Sequence, residues 1–164
     1  MVKKPVADFT LTDQDGKPFR FAASHGKVVL ITFIFTTCPD VCPLLTAKFA
    51  AIQRALAERK IADYQLLSIT TDPERDSTAL LKEYAGRFKA DLTRWSFVTG
   101  TRADLAKVWK AIGVNVTKTD AGEVSHTTLT TLVDRRGTRR VDYYGDKWLD
   151  KEVLNDFQRV GAQK

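Results

Sequence analysis

The chain is poor in the residue that builds disulfide scaffolds. Among 164 residues there are two cysteines, too few to staple a domain of this size. A long apolar run is also missing. Crossing a bilayer takes roughly 18–20 consecutive apolar residues, and the longest candidate, Val28 to Phe35, has only the length of a buried strand. No secretory leader is legible at the start, where Met1-Val2-Lys3-Lys4-Pro5 runs straight into sequence of folded character. An export or anchoring segment of the natural protein is therefore expected to lie outside this chain. Internal repeats, low-complexity tracts and linkers are absent, and the length suits a single domain over 1–164 with its core over about 7–160.

Charge of one sign is modest. The formal net charge is +6, with basic residues scattered along the chain, and the one dense cluster is Arg135, Arg136, Arg139 and Arg140 around Gly137. A nucleic-acid site would add interleaved aromatics and a recognised motif. Neither is there, so no nucleic-acid partner is expected. The cluster reads as a solvated hairpin, with a secondary use in steering an anionic protein partner.

What the chain does have is a regular alternation of elements. Phe9-Thr10-Leu11 and Phe19-Arg20-Phe21 predict short strands joined by the turn Asp13-Gln14-Asp15-Gly16. Val28 to Phe35 is β-branched and aromatic almost throughout, as a central strand buried on both faces should be. Pro43 then opens a pattern with Leu44, Leu45, Ala47, Ala51, Ile52, Ala55 and Leu56 at a period near 3.6, which predicts a helix. A strand over Tyr64 to Thr70 follows, then a helix capped by Ser77 and running to about Phe88. Next come a short strand at Trp95 to Val98 and a helix opened by Thr101-Arg102-Ala103-Asp104 that ends before Gly113. Val114 to Ser125 reads as irregular. Strands over Thr127 to Val133 and Arg139 to Tyr144, and a helix from about Leu149 to Val160, complete the chain. This order predicts an α/β, thioredoxin-like fold: a central mixed sheet flanked by helices, with an added N-terminal hairpin.

The two cysteines lie in Cys38-Pro39-Asp40-Val41-Cys42, where the buried strand hands over to a helix. A helix N-terminus offers free N–H groups and the positive end of the dipole, both of which favour thiolate over thiol. The spacing lets both sulfurs reach one side of the turn, to oxidise to a disulfide or to close on one soft metal ion. The bland alternative is a pair of inert cysteines packed under the first turn. In a thioredoxin-like sheet the loop entering the penultimate strand passes beside this turn, and His126 begins that strand. Two thiolates and an imidazole make a three-ligand set in which sulfur selects Cu(I) and the imidazole helps to hold Cu(II). Zinc fits the same donors, although structural zinc usually takes four protein ligands. His25, before Gly26 in a turn, reads as surface.

The segments Thr36-Thr37-Cys38-Pro39-Asp40-Val41-Cys42-Pro43, Thr71-Asp72-Pro73-Glu74-Arg75-Asp76 and Ser125-His126-Thr127 together resemble the Sco/SenC family, and the resemblance extends from about Ala7 to Phe157. Sco/SenC proteins are thioredoxin-fold factors for assembly of the copper-A centre of cytochrome c oxidase. The resemblance implies that Cys38, Cys42 and His126 bind one copper ion, Cu(I) or Cu(II). It implies an acceptor in the copper-A subunit or another copper or thiol protein, and an extracytoplasmic domain (bacterial periplasm or mitochondrial intermembrane space) tethered to a membrane. Family members often carry an acidic residue immediately before the histidine, where this chain has Ser125. A metal-bound histidine normally donates its other N–H to an outer acceptor, so Asp40, Asp72 and Ser125 become candidates; turn formation and helix capping are the alternative roles of the two carboxylates.

Three functions follow. The first is a metallochaperone, a carrier and not an enzyme in the turnover sense, with a monomer as the default state. The second is a thiol–disulfide oxidoreductase that reduces the cysteines of a copper acceptor through the redox-active pair Cys38 and Cys42. The absence of a proline in Val124-Ser125-His126-Thr127, where thioredoxins place a cis-proline, weighs against a generic version. The third, a thioredoxin-fold peroxidase, needs an activating Arg or Thr constellation around its cysteine, and Thr37 alone is a thin basis.

Overall fold

Alternate side chains of a strand leave on opposite faces, and along Val28–Ile34 both sets are buried. Val28, Leu30 and Ile34 join one apolar cluster, while Val29, Ile31 and Phe33 join another. A strand with no wet face belongs at the centre of a sheet. In the computed structural model, which describes residues 2–163, it does.

The chain begins with β1 (Lys4–Pro5), β2 (Thr10–Thr12) and β3 (Pro18–Arg20), and continues through a 3₁₀ turn, Phe21–Ser24, into β4 (Val28–Ile34) and α1 (Val41–Glu58). Then come β5 (Tyr64–Thr70), α2 (Thr78–Arg87), β6 (Trp95–Val98) and α3 (Arg102–Ile112). The last third holds β7 (Val116–Lys118), β8 (Val124–His126), β9 (Leu129–Val133), β10 (Thr138–Tyr144) and α4 (Asp150–Gly161). The main sheet runs β1-β10-β9-β4-β5-β6. Strand β4 is parallel to β5 and antiparallel to β9. β2–β3 and β7–β8 are separate two-stranded hairpins.

Helices α1, α2 and α4 cover one face of the main sheet, where Leu45, Phe49, Leu81, Tyr84, Val153 and Phe157 are buried. Helix α3 and the N-terminal hairpin cover the other with Leu105, Trp109, Ile112, Leu11 and Phe21. Helix starts follow the capping logic of the sequence: Ser77 Oγ accepts from Leu80 N–H at 3.2 Å, and Thr101 Oγ1 accepts from Asp104 N–H at 3.1 Å. Gly113 ends α3 in the left-handed region, φ 92°. Among the described residues no helix is long and apolar enough to cross a membrane.

Three expectations change and one strand is added. Helix α1 starts at Val41, so Cys42 lies inside the first turn ahead of Pro43, a position where proline's missing N–H costs little. The stretch expected to be irregular contains the β7–β8 hairpin. His126 therefore ends β8 instead of opening the penultimate strand, which starts at Leu129. Strand β1 pairs with β10 at the sheet edge. The arginine cluster is not simply solvated. Arg139 is buried against Asp142 at 2.7 Å, Arg135 binds Asp63 at 2.6 Å, and Arg140 reaches Asp134 at 3.3 Å. A break in register between Arg139 and Val141 turns Arg139 inward, and a buried guanidinium then needs a carboxylate.

Candidate metal centre

Strands β4 and β5 end at the same edge of the sheet, because they are parallel and in register from Val28↔Tyr64 to Ile34↔Thr70. The loops that leave them therefore sit side by side. From β4 comes the cysteine turn, and from β5 comes Thr71 to Ser77. Thr71 N–H binds Ile34 O at 2.8 Å, which joins the two exits directly.

Both cysteines are free thiols, Cys38 half-buried and Cys42 buried. They are neighbours: Cys38 packs against the apolar cluster in which Cys42 is buried. Burial raises the Cys42 thiol well above its ordinary value, and the Cys38 contact adds to this, against an opposing hydrogen bond from the Phe35 backbone. Burial thus opposes the thiolate character expected of Cys42 at a helix N-terminus. A soft metal ion displaces that proton by coordination.

His126 reaches the neighbourhood from the other direction. Its ring meets Phe35, at the head of the cysteine turn, edge to face with centroids 5.8 Å apart. Nδ1 lies 2.8 Å from Thr127 O. A carbonyl only accepts, so Nδ1 carries the proton and Nε2 keeps its lone pair for a metal. Burial lowers the histidine's pKa, with the Thr127 bond acting against it, and the neutral ring is the form that ligates. Among the described residues, no three His, Cys, Asp or Glu side chains already converge on one metal position. The two thiols share one turn, and the imidazole packs on Phe35 at the head of that turn. An open crevice of about 470 Å³ lies alongside, lined by Phe35, Thr37 and Pro39 of the cysteine turn, Arg75, and Gly122 and Val124 of the hairpin.

The outer candidates fall in three different places. Asp40 is the N-cap residue of α1 but its exposed side chain makes no capping bond. Ser125 is exposed, and its neighbours in β8 place it on the opposite face of the hairpin from His126. Asp72 is fully buried, with Lys118 Nζ 3.0 Å from Oδ1 and Arg75 Nη1 3.6 Å from Oδ2. None of the three receives the His126 N–H; Thr127 O does. A residue the sequence reading passed over is Asp76. Buried under the cysteine turn, it accepts from Thr36 N–H (3.2 Å) and the Thr36 hydroxyl, and from Thr70 Oγ1 at 2.6 Å. Burial raises its pKa, while those hydrogen bonds pull the other way. Its place in the segment Thr71 to Asp76 was the available signal.

The SCO1/SenC family profile matches residues 2–160. The chain belongs to the SCO1/SenC family. A SCO1/SenC family lipoprotein from Bacillus anthracis superposes with a TM-score of 0.89 at 32% identity, covering 96% of this chain and 95% of that one. BsSco, described as a member of the Sco family of cytochrome c oxidase assembly proteins with a disulfide switch, gives 0.86 at 29% identity over 99% and 96%. Bradyrhizobium japonicum ScoI, solved with copper bound, gives 0.81 at 31% identity over 95% and 99%. The mixed sheet, its four helices and the N-terminal hairpin are thus the thioredoxin-like fold of Sco proteins.

Proposed function

We propose that this Sco protein is a copper carrier in which Cys38, Cys42 and His126 ligate one Cu(I) or Cu(II) ion per chain. The observation that carries the reading is two free thiols on one turn, with an imidazole packed on Phe35 at the head of that turn and its Nε2 unprotonated. Loading exchanges two thiol protons for the ion, and His126, whose ring packs on Phe35, completes the set. The ion leaves by ligand exchange to the thiolates of an acceptor, which we take to be the copper-A subunit of cytochrome c oxidase on an extracytoplasmic, membrane-tethered assembly. Copper bound to ScoI and the oxidase-assembly role of BsSco support this reading. Absorption and electron paramagnetic resonance of the Cu(II) form test it. A thiolate charge-transfer band with nitrogen coupling is expected, the coupling lost in His126→Ala and the band lost with either cysteine. Copper binding that survives replacement of all three residues by alanine overturns it.

A second reading is supported by the difference in exposure of the two thiols. Half-buried Cys38 is the accessible nucleophile and buried Cys42 the resolving thiol. Cys38 attacks a disulfide on the acceptor, forming a mixed disulfide and releasing one acceptor thiolate. Cys42 then attacks Cys38, leaving the acceptor as a dithiol and the Cys38–Cys42 pair oxidised. The disulfide switch of BsSco supports it. Incubation with an oxidised copper-site peptide decides; no gain in free peptide thiol removes the reading.

A further inference from the structure

The hairpin that carries His126 is a separate unit. Its strands are three residues long, and they pair with each other through Val116↔His126, Thr117↔Ser125 and Lys118↔Val124, not with the main sheet. A two-stranded ribbon of this size has little stability of its own, so its position depends on what holds it. Cross-strand partners and residues two apart share a face, so Lys118, Val124, Val116 and His126 lie on one side. On that side Lys118 reaches wholly buried Asp72 at 3.0 Å and Glu74 at 3.3 Å. Among the described residues these are the hairpin's polar side-chain ties to the rest of the protein.

Asp72 is in turn joined to the cysteine turn. Its N–H binds Thr70 Oγ1 at 2.9 Å, the Thr70 hydroxyl donates to Asp76 at 2.6 Å, and Asp76 holds the N–H and hydroxyl of Thr36. One continuous polar chain thus runs from the hairpin to the residue two before Cys38. The hairpin tip is seated as well. Gly122, at φ 87°, lies so close to the Arg75 guanidinium that a Cβ there would collide with it, and Arg75 is the other cation on Asp72.

We propose that the Lys118–Asp72 ion pair positions the His126 hairpin against the cysteine turn, making Lys118 a positioning residue for the imidazole although it touches no ligand. The inference rests on the copper-carrier reading for its functional meaning. Removing one partner of a pair with a buried carboxylate leaves that charge undercompensated, and the ribbon loses its tie.

Hydrogen exchange of the full-length apoprotein tests the tie directly. In Lys118→Met the hairpin amides are expected to exchange about tenfold faster, with β4 and α1 unchanged, and Lys118→Arg restores protection. The Cu(II) form of Lys118→Met then keeps its thiolate band but loses nitrogen coupling that Lys118→Arg retains. Unchanged hairpin exchange in Lys118→Met overturns the inference. So does an equal rise in β4, which means global loosening, or nitrogen coupling that persists, or an arginine variant no better than methionine. Wild-type protein without a His126-dependent copper signal instead ends the carrier reading, and the exchange data still decide whether Lys118 holds the hairpin.

Discussion

The two halves of the proposed copper site are built to different standards. The cysteine turn grows from β4, a strand buried on both faces and paired on both sides, and its first residue after Phe35 is held by buried Asp76. His126 stands on a three-residue strand outside the main sheet, facing the site across a phenylalanine ring. The sulfur half is therefore part of the protein's core and the nitrogen half is an attachment to it. On the copper-carrier proposal such a division would suit both oxidation states, the two fixed sulfurs favouring Cu(I) and an adjustable imidazole favouring Cu(II).

Replacing both cysteines by alanine makes the largest difference. Cu(I) affinity, read by competition with a chromogenic chelator, is expected to fall by at least about a thousandfold (~4 kcal/mol), with the far-ultraviolet circular dichroism unchanged. His126→Ala sharpens the contrast: Cu(II) binding weakens by roughly 10–100-fold and Cu(I) binding by less than tenfold. Equal losses for the two ions would break the comparison. The third prediction concerns protons. The fold keeps Cys42 protonated above its ordinary value of 9.0. The unfolded chain releases that proton first as pH rises, so the Cys42 contribution is complete below about pH 9 and declines above it, by at most ~1.4 kcal/mol per pH unit. Urea unfolding of the apoprotein between pH 8 and 11, as about the accessible range, should show this slope, and Cys42→Ala should flatten it. The smallest effect belongs to His25, exposed before the start of β4 while the cysteine turn follows its end, with an edge contact to Phe21. His25→Ala is expected to leave copper binding unchanged and stability within ~0.5 kcal/mol.

Most of the sulfur half was legible before any coordinates. A β-branched run, a cysteine at its exit and a 3.6-period pattern beyond are local signals, and β4, the turn and α1 follow from them. The histidine half was legible only as a residue. Val116-Thr117-Lys118 and Val124-Ser125-His126 are too short and too polar to announce strands, and they become strands only by pairing with each other. Lys118, Asp72 and Asp76 carry roles set by neighbours distant in sequence, which no spacing rule reveals. Arg139 was misjudged for a related reason: an irregularity in β10, invisible in composition, decides which side of the sheet it takes. The thiolate character expected of Cys42 is opposed by burial, which is a property of the finished fold and not of the local sequence.

Parallel β4 and β5 leave the sheet at the edge where antiparallel β9 enters it, and this has a consequence in time as well as in space. The cysteines emerge early from the ribosome, while His126 and the strand that follows it arrive only with the last third of the chain. Until β9 inserts beside β4, the nascent protein carries the two thiols without the imidazole of His126. Metal or oxidant met during that interval is handled by sulfur alone. For the proposed ligand set, completion is thus a mark of completed folding, and the order of synthesis separates the thiol pair from the three-residue site.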